Sequence, residues 1–330
     1  MKVILPVAGT GTRLRPFTLS LPKCLLPIAG KTLMDYIIDS YASLPVSGQT
    51  FVVGYKGEQV EDFVKRRNFK NSNVVYQRNP QGLGEAVSLC MPFLNDDEPI
   101  LIILGDTLFD ADLSFLATEK ENVLMTREVE NPKRFGVAVT DSSGRVKKLV
   151  EKPETFVSNE ALVGIYYIAD VAALRESLDR LIRDDIRTRN EYQLTDALQM
   201  MVNAGCPFRT APIRSWLDCG TAETFLETNA KILASLVPEP QRNFKGSTII
   251  QPCHIAETAV IRNSVVGPNV SVGPDVVIEN SKIANSVISD RTALFDSEIS
   301  YSIFGGDSEV RGFKGSLLLG DHSKVISGVL

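Results

Sequence analysis

Apolar residues fall along the first 235 or so positions in two alternating rhythms. Short continuous runs read as buried strands at Lys2–Pro6, Gln49–Val53, Asn73–Gln77, Ile100–Leu104, Asn122–Thr126, Gly136–Thr140 and Leu162–Ile168. Between them, apolar residues at helical spacing predict helices over Leu33–Ser43, Gly57–Arg67, Leu83–Leu94, Asp170–Arg183, Leu194–Ala204 and Ala222–Leu236. Such alternation predicts an α/β domain with a Rossmann-like, mostly parallel sheet over residues 1–236. Its ligand should lie at the carboxyl ends of the strands.

The rhythm changes after a polar, proline-containing stretch that begins Val237-Pro-Glu-Pro, read here as a linker over 237–246. Val260, Val266, Val272 and Ile278 recur every six residues, with Gly267-Pro268 and Gly273-Pro274 in step. A hexapeptide period predicts a left-handed parallel β-helix over 247–330, one aliphatic side chain per face pointing inward. The pattern loosens after about Asn280, where NSKI, NSVI, DSEI and YSIF keep its flavour with irregular spacing. Three hexapeptides per coil give roughly four coils.

Charge and composition narrow the chemistry. The 330 residues carry a formal net charge of −5, which argues against nucleic acid or a membrane surface as partner. The N-terminal apolar run is too short for a signal peptide or a membrane span, so a cytoplasmic protein is expected. The five cysteines are scattered and form no CxxC pair, as expected of reduced thiols rather than a zinc site. The two histidines, His254 and His322, lie beyond residue 250, so the α/β part has no histidine for acid–base work.

The densest chemistry is at the start. The strand Lys2–Pro6 runs into Ala8, Gly9, Gly11, Thr12 and Arg13, and Pro22-Lys23 follows ten residues later. Glycines let backbone N–H groups approach a polyphosphate, and the cations neutralise it. By itself a tight turn with solvated arginines is an equal reading. A Walker loop fails for want of GK[ST], and a dinucleotide fingerprint fails because Leu14 stands at the third glycine. What remains, GTGTRLRPFTLSLPKCLLPI, resembles the opening of the sugar-1-phosphate nucleotidylyltransferase family, GxGTRLxPxTxxxPKxLxPI.

That resemblance extends along residues 1–235. Leu104-Gly105-Asp106 matches the family's metal-binding aspartate, and Trp216-Leu-Asp218-Cys-Gly-Thr221 its second carboxylate; both would hold Mg²⁺, whose octahedron favours few carboxylates plus phosphate and water. Gly82 begins a GLxxA segment that in the family lies against the nucleobase. Gln77 matches the glutamine that pairs with a pyrimidine edge, which an amide can meet as donor and acceptor at once. Glu151-Lys152-Pro153 matches EKP, whose glutamate accepts from sugar hydroxyls and whose lysine meets the sugar phosphate. Gly136 and Gly164 match glycines at which the sugar approaches the backbone. Glu191-Tyr-Gln-Leu-Thr195-Asp196 resembles the family's E-x-x-[IL]-T-D and equally reads as a helix N-cap by Thr195 or Asp196.

The resemblance implies a nucleotidyltransferase domain followed by the β-helix. It implies transfer of a nucleoside monophosphate from a pyrimidine triphosphate, dTTP before UTP, to a hexose-1-phosphate such as glucose-1-phosphate, releasing pyrophosphate. Arg13 would screen the β- and γ-phosphates, Lys23 the α-phosphate and Lys152 the sugar phosphate. Ala8, where the common family loop has glycine, is closer to uridylyl-transferring members, whereas WLDCGT, the tail and Gly320-Asp-His-Ser323 are closer to the longer thymidylyl-transferring ones. A homo-oligomer is expected. Two other readings exist: a regulatory or scaffold subunit, and a bifunctional enzyme whose tail transfers an acyl group with His254 or His322 as base. Non-catalytic relatives usually lose the lysine or an aspartate, whereas Lys23, Asp106 and Asp218 are all present here.

Overall fold

The computed structural model describes residues 1–237 and 242–327; residues 238–241 of the expected linker and the last three of the expected β-helix lie outside them. By packing, the chain forms two units. One comprises Met1–Gly9 with Ile37–Trp216, the other Thr10–Tyr36 with Leu217 onward.

The first unit is built on a nine-stranded sheet. Its order is Val146–Glu151, Gly136–Thr140, Glu160–Ile168, Ile100–Ile103, Lys2–Pro6, Gly48–Val53, Ser72–Tyr76. Asn122–Glu128 also pairs with Glu160–Ile168, and Phe208–Pro212 pairs with Asn122–Glu128. Lys2–Pro6 runs parallel to both its neighbours, so its carboxyl end and that of Ile100–Ile103 open side by side. Glu160–Ile168 runs antiparallel to the strands it touches and makes the sheet mixed. The four central strands are buried along nearly their whole length because both faces are covered, Gln49 and Thr50 included. Helices α1 (Leu33–Ser40), α2 (Gly57–Arg67), α3 (Leu83–Ser88), α4 (Val171–Arg183) and α5 (Leu194–Asn203) occur where the pattern predicted them. Helix α3 ends six residues early. Pro92 cannot donate to Ser88, and the chain continues as a 3₁₀ turn at Met91–Phe93. Strands Val146–Glu151 and Phe208–Pro212 were not foreseen, being short and half polar.

The second unit contains α6 (Ala222–Ser235) and the left-handed β-helix, three sheets of five parallel strands among the described residues. That makes five coils rather than four. The regularity persists past Asn280 in a different currency. Asn263, Asn280, Asn285, Asp296 and Tyr301 take left-handed backbone at the corners, and a serine follows each. The serine hydroxyl accepts an N–H from the next coil: Ser264 from Ser281, Ser281 from Ser297, Ser297 from Phe313. A second column runs from Ser286 to Ser302 to Leu317. The inward row is Ile261, Val266, Val272, Ile278, Ile283, Ile288, Leu294, Ile299 and Phe304. Val260, expected in it, is half-buried outside it; the shorter Asn-Ser corners break the strict six-residue period.

Candidate active site

In the first unit the strand Lys2–Pro6 delivers Val7 and Ala8 to its carboxyl end, where the Val7 N–H donates to the Val52 carbonyl (2.8 Å). Ala8 is buried, and its methyl is accommodated by a glycine across the sheet: a Cβ on Gly54 would lie 2.9 Å from that of Ala8. Gly9 is exposed and has open space around it. On the neighbouring strand, Gly105 donates to Pro6 (3.1 Å), and a Cβ there would fall 2.3 Å from Val7 Cγ1. Only glycine fits, and the turn presents Asp106 exposed. Gly164, at φ +83°, bulges against the same turn; a Cβ would lie 2.7 Å from Leu104 Cδ1.

Sheet register pairs Gly136 with Glu151. Thr195, on the first turn of α5, donates its hydroxyl to Glu151 Oε2 at 2.7 Å. A Cβ on Gly136 would stand 3.0 Å from both of those oxygens. Lys152 Nζ lies 3.3 Å from Glu151 Oε1. Lys152 adopts left-handed backbone (φ +42°), held by its N–H to Phe135 (3.0 Å) and by Arg189, which donates to its carbonyl (3.0 Å). A lysine fixed in a conformation that side chains disfavour is a common mark of a functional position. The α5 N-cap is Gln193, not Thr195 or Asp196. Burial, and then the charge of Glu151, raise the Asp196 pKa, and its Oδ2 is buried without a hydrogen bond. Burial raises the Tyr166 pKa too, with the Glu151 and Asp106 charges adding to it. Glu151, Asp106 and Asp196 thus share one acidic neighbourhood. Trp216 packs its ring on Phe135, centroids 4.8 Å apart, joining two motifs distant in sequence.

Gln77 is buried at the end of Ser72–Tyr76. Its Nε2 donates to the Gly82 carbonyl (3.0 Å) and to Glu85. The amide therefore presents its carbonyl oxygen rather than both functions. Glu85 was not foreseen; the acid in Gly82-Leu-Gly-Glu85 was its signal. Gly82, at φ +119°, is seated against Tyr192, where a Cβ would lie 2.5 Å from the carbonyl oxygen.

In the second unit Gly11 takes left-handed backbone (φ 60°) before the 3₁₀ turn Thr12–Leu14. Thr18 donates to its carbonyl at 2.9 Å, and a Cβ there would meet Thr18 Cγ2 at 2.9 Å and Lys23 Cβ at 3.2 Å. GTR and PK are thereby pressed together. Thr12 and Arg13 are exposed and Lys23 is half-buried. Cys24, next to Lys23, has its thiol pushed up to about 12 by burial and is inert. Asp218 is exposed; its Oδ1 accepts the Gly220 N–H at 2.8 Å. A Cβ on Gly220 would lie 2.9 Å from that oxygen and 3.4 Å from Arg13 Nη2, so Arg13 and Asp218 flank the same glycine. Thr221 then caps α6 in a reciprocal box with Thr224.

The profile of the nucleotidyl transferase family matches residues 2–235. The chain belongs to that family. The family expected from the sequence is thus the one that the comparisons show. Over 98% of its length this nucleotidyl transferase is 29% identical to a glucose-1-phosphate thymidylyltransferase of Streptomyces griseus, covering 99% of that protein. It is 31% identical to a bifunctional sugar-1-phosphate nucleotidylyltransferase/acetyltransferase of Sulfurisphaera tokodaii, over 94% of this chain and 79% of that one. Among solved structures, a UDP-glucose pyrophosphorylase complexed with UDP-glucose superposes with a TM-score of 0.62 at 25% identity, over 71% of this chain and 99% of that one. No helix among the described residues is long and apolar enough to cross a membrane.

Proposed function

We propose that this chain is a sugar-1-phosphate nucleotidylyltransferase, taking dTTP before UTP as nucleotide and glucose-1-phosphate as acceptor. The observation that carries this is the packing of Gly11 against Lys23 and of Arg13 beside Asp218 and Gly220. Two cations and a carboxylate so arranged suit a metal-complexed triphosphate. The end-to-end similarity to a thymidylyltransferase supports the base and sugar.

An oxygen of the sugar phosphate attacks the α-phosphorus. The bond from that phosphorus to the bridging oxygen breaks, and pyrophosphate leaves with the electron pair. The nucleophile is already anionic, so no base is needed, and positioning with charge neutralisation supplies the rate. Lys23 and Arg13 face the charge that shifts on the triphosphate. Lys152 holds the incoming phosphate, and Glu151, fixed by Thr195, accepts from sugar hydroxyls. Gln77 Oε1 accepts the N3–H of the base. The exposed carboxylates of Asp106 and Asp218 are hard oxygen donors that fit Mg²⁺, and would hold it. When bound it neutralises phosphate charge.

Pyrophosphate release over a matrix of nucleoside triphosphates and hexose-1-phosphates, with and without Mg²⁺, tests this. The largest rate is expected with dTTP and glucose-1-phosphate, and release with no pair would rule the reading out. The bifunctional relative favours acetyl transfer by the tail as a second reading. Its base would be His322, which is exposed, with Nδ1 3.9 Å from Asp307 Oδ2, whereas the His254 ring is packed on Gly30. Acetyl-CoA consumption with an amino-sugar phosphate decides that.

A further inference from the structure

The Thr10–Tyr36 segment, which carries Arg13 and Lys23, has little regular structure of its own. Before α1 begins at Leu33 it contains three 3₁₀ turns of three residues each (Thr12–Leu14, Phe17–Leu19, Lys23–Leu25) and a short hairpin, Pro27–Ile28 with Lys31–Thr32. Elements this short do not hold a conformation unaided. Most of its apolar side chains are nonetheless buried, Leu14 to 1% and Phe17 to 4% exposure, Leu19 being the exposed one.

What they rest on is one outward face of the β-helix. In one of its three sheets, His254, Ser271, Val287, Ile303 and Leu318 stand opposite one another in register, one per coil. Their chain neighbours Ile255, Val272, Ile288, Phe304 and Leu319 point into the β-helix core or pack against it. The outward row would be expected to face water, as Leu318 does at 49% exposure, yet Val287 is 2% and Ile303 4% exposed. Val287 and Ile303 line a narrow apolar gap with Leu14, Phe17, Leu21 and Leu26. His254 lies against the hairpin tip: a Cβ on Gly30 would be 2.7 Å from its ring. Further along, a Cβ on Gly320 would be 3.1 Å from Pro16.

Ser271 makes the polar link. Its hydroxyl donates to Asn229 Oδ1 at 2.7 Å. The same oxygen accepts the N–H of Ala29, at the hairpin tip, at 3.0 Å, and Asn229 Nδ2 donates to the Asn269 carbonyl at 3.2 Å. Asn229 is completely buried on α6. A buried amide on α6 whose three partners lie in two other segments, the hairpin tip and the coil at Asn269–Ser271, fixes the register of all three segments, because a slip would leave polar atoms unpaired.

From this we infer that the outward ladder of the β-helix is the seat of the triphosphate-binding segment. Ser271 and Asn229 are positioning residues for Lys23 and Arg13, and the tail is part of the catalytic apparatus. The inference rests on the assignment of those two cations to the triphosphate.

The experiment uses the full chain with Ser271→Ala and, separately, Ile303→Ala; Asn229→Ala is the stronger variant, read only if it folds. Hydrogen exchange of the Thr10–Tyr36 amides is expected to quicken about fivefold or more while the first unit's sheet is unchanged. The KM for the nucleoside triphosphate is expected to rise about fivefold to tenfold, the scale of one lost hydrogen bond. The KM for the sugar phosphate should stay within about twofold. A merely destabilising change would lower the active fraction and leave both KM values alone. Unaltered exchange in the segment, or equal rises in both KM values, would overturn the inference. A wild-type enzyme inert toward every substrate pair would instead sink the proposed function, and the exchange result would still decide whether the ladder holds the segment.

Discussion

Glu151 and Lys23 are both charged, both half-buried and both assigned to a substrate, but they are fixed by different means. Glu151 ends a strand of the large sheet, in register with Gly136, and accepts from Thr195. Lys23 sits on a single 3₁₀ turn whose surroundings are Gly11 and a segment lying on the β-helix. The first is set by backbone pairing, which is local and stiff. The second is set by side-chain packing onto coils some 250 residues later in sequence. Loss of one contact should therefore be felt narrowly on the Glu151 side and along the whole segment on the Lys23 side.

The largest expected effect is that of Lys23→Ala. Its kcat should fall roughly 10²-fold or more, the scale of losing one preorganised charge stabiliser. Near-normal turnover in steady-state assays would remove Lys23 from the chemistry. Gly11→Ala comes next. A side chain at φ 60° costs about 1–2 kcal/mol, and the new methyl would meet Thr18 and the Lys23 stem. The triphosphate KM should rise by about tenfold, with a lower unfolding temperature; calorimetry beside kinetics checks both.

Thr195→Val probes the other side. It strips the hydroxyl from Glu151 Oε2 and should raise the sugar-phosphate KM about fivefold, leaving the triphosphate KM alone, with Thr195→Ser restoring it. Equal effects on both substrates would erase the contrast between the two sides. The smallest effect is electrostatic. Burial and the Glu151 charge hold the Asp196 pKa above the ordinary value of about 3.9. The stability this confers is full below about pH 4 and lost as the pH rises through the raised folded value. Asp196→Asn should therefore gain in unfolding temperature relative to wild type at pH 7 and lose that gain near pH 4. An offset independent of pH would show that Asp196 is not desolvated.

Where a motif needs a glycine for close approach, the sequence marked the position. Gly105 faces Val7, Gly82 faces Tyr192 and Gly164 faces Leu104, and each was expected as part of a motif before its neighbour was known. The oddity at Ala8 was legible as an oddity, but its resolution by Gly54 was not, because the two meet across strands. Thr195 was visible as a capping candidate, and its bond to Glu151 was invisible, since a helix turn and a strand end 44 residues away supply the two atoms. The β-helix was legible while valines and isoleucines recurred at six. It faded where the repeat passed to serine hydroxyls, whose partners lie one coil on, 16 or 17 residues away in the first column.

The sequence by itself determined the alternation of strands and helices, the coiled tail and the residue types that suit a phosphate. Those follow from apolar periodicity and from glycine and charge at short spacing, which are local properties of a chain. Tertiary structure alone decided that Thr10–Tyr36 packs with the tail. It also decided that Val287, Ile303 and Ser271, outward-facing by pattern, are buried or bonded. An outward position on a strand reads the same whether water or another segment covers it. Only folding brings the cover.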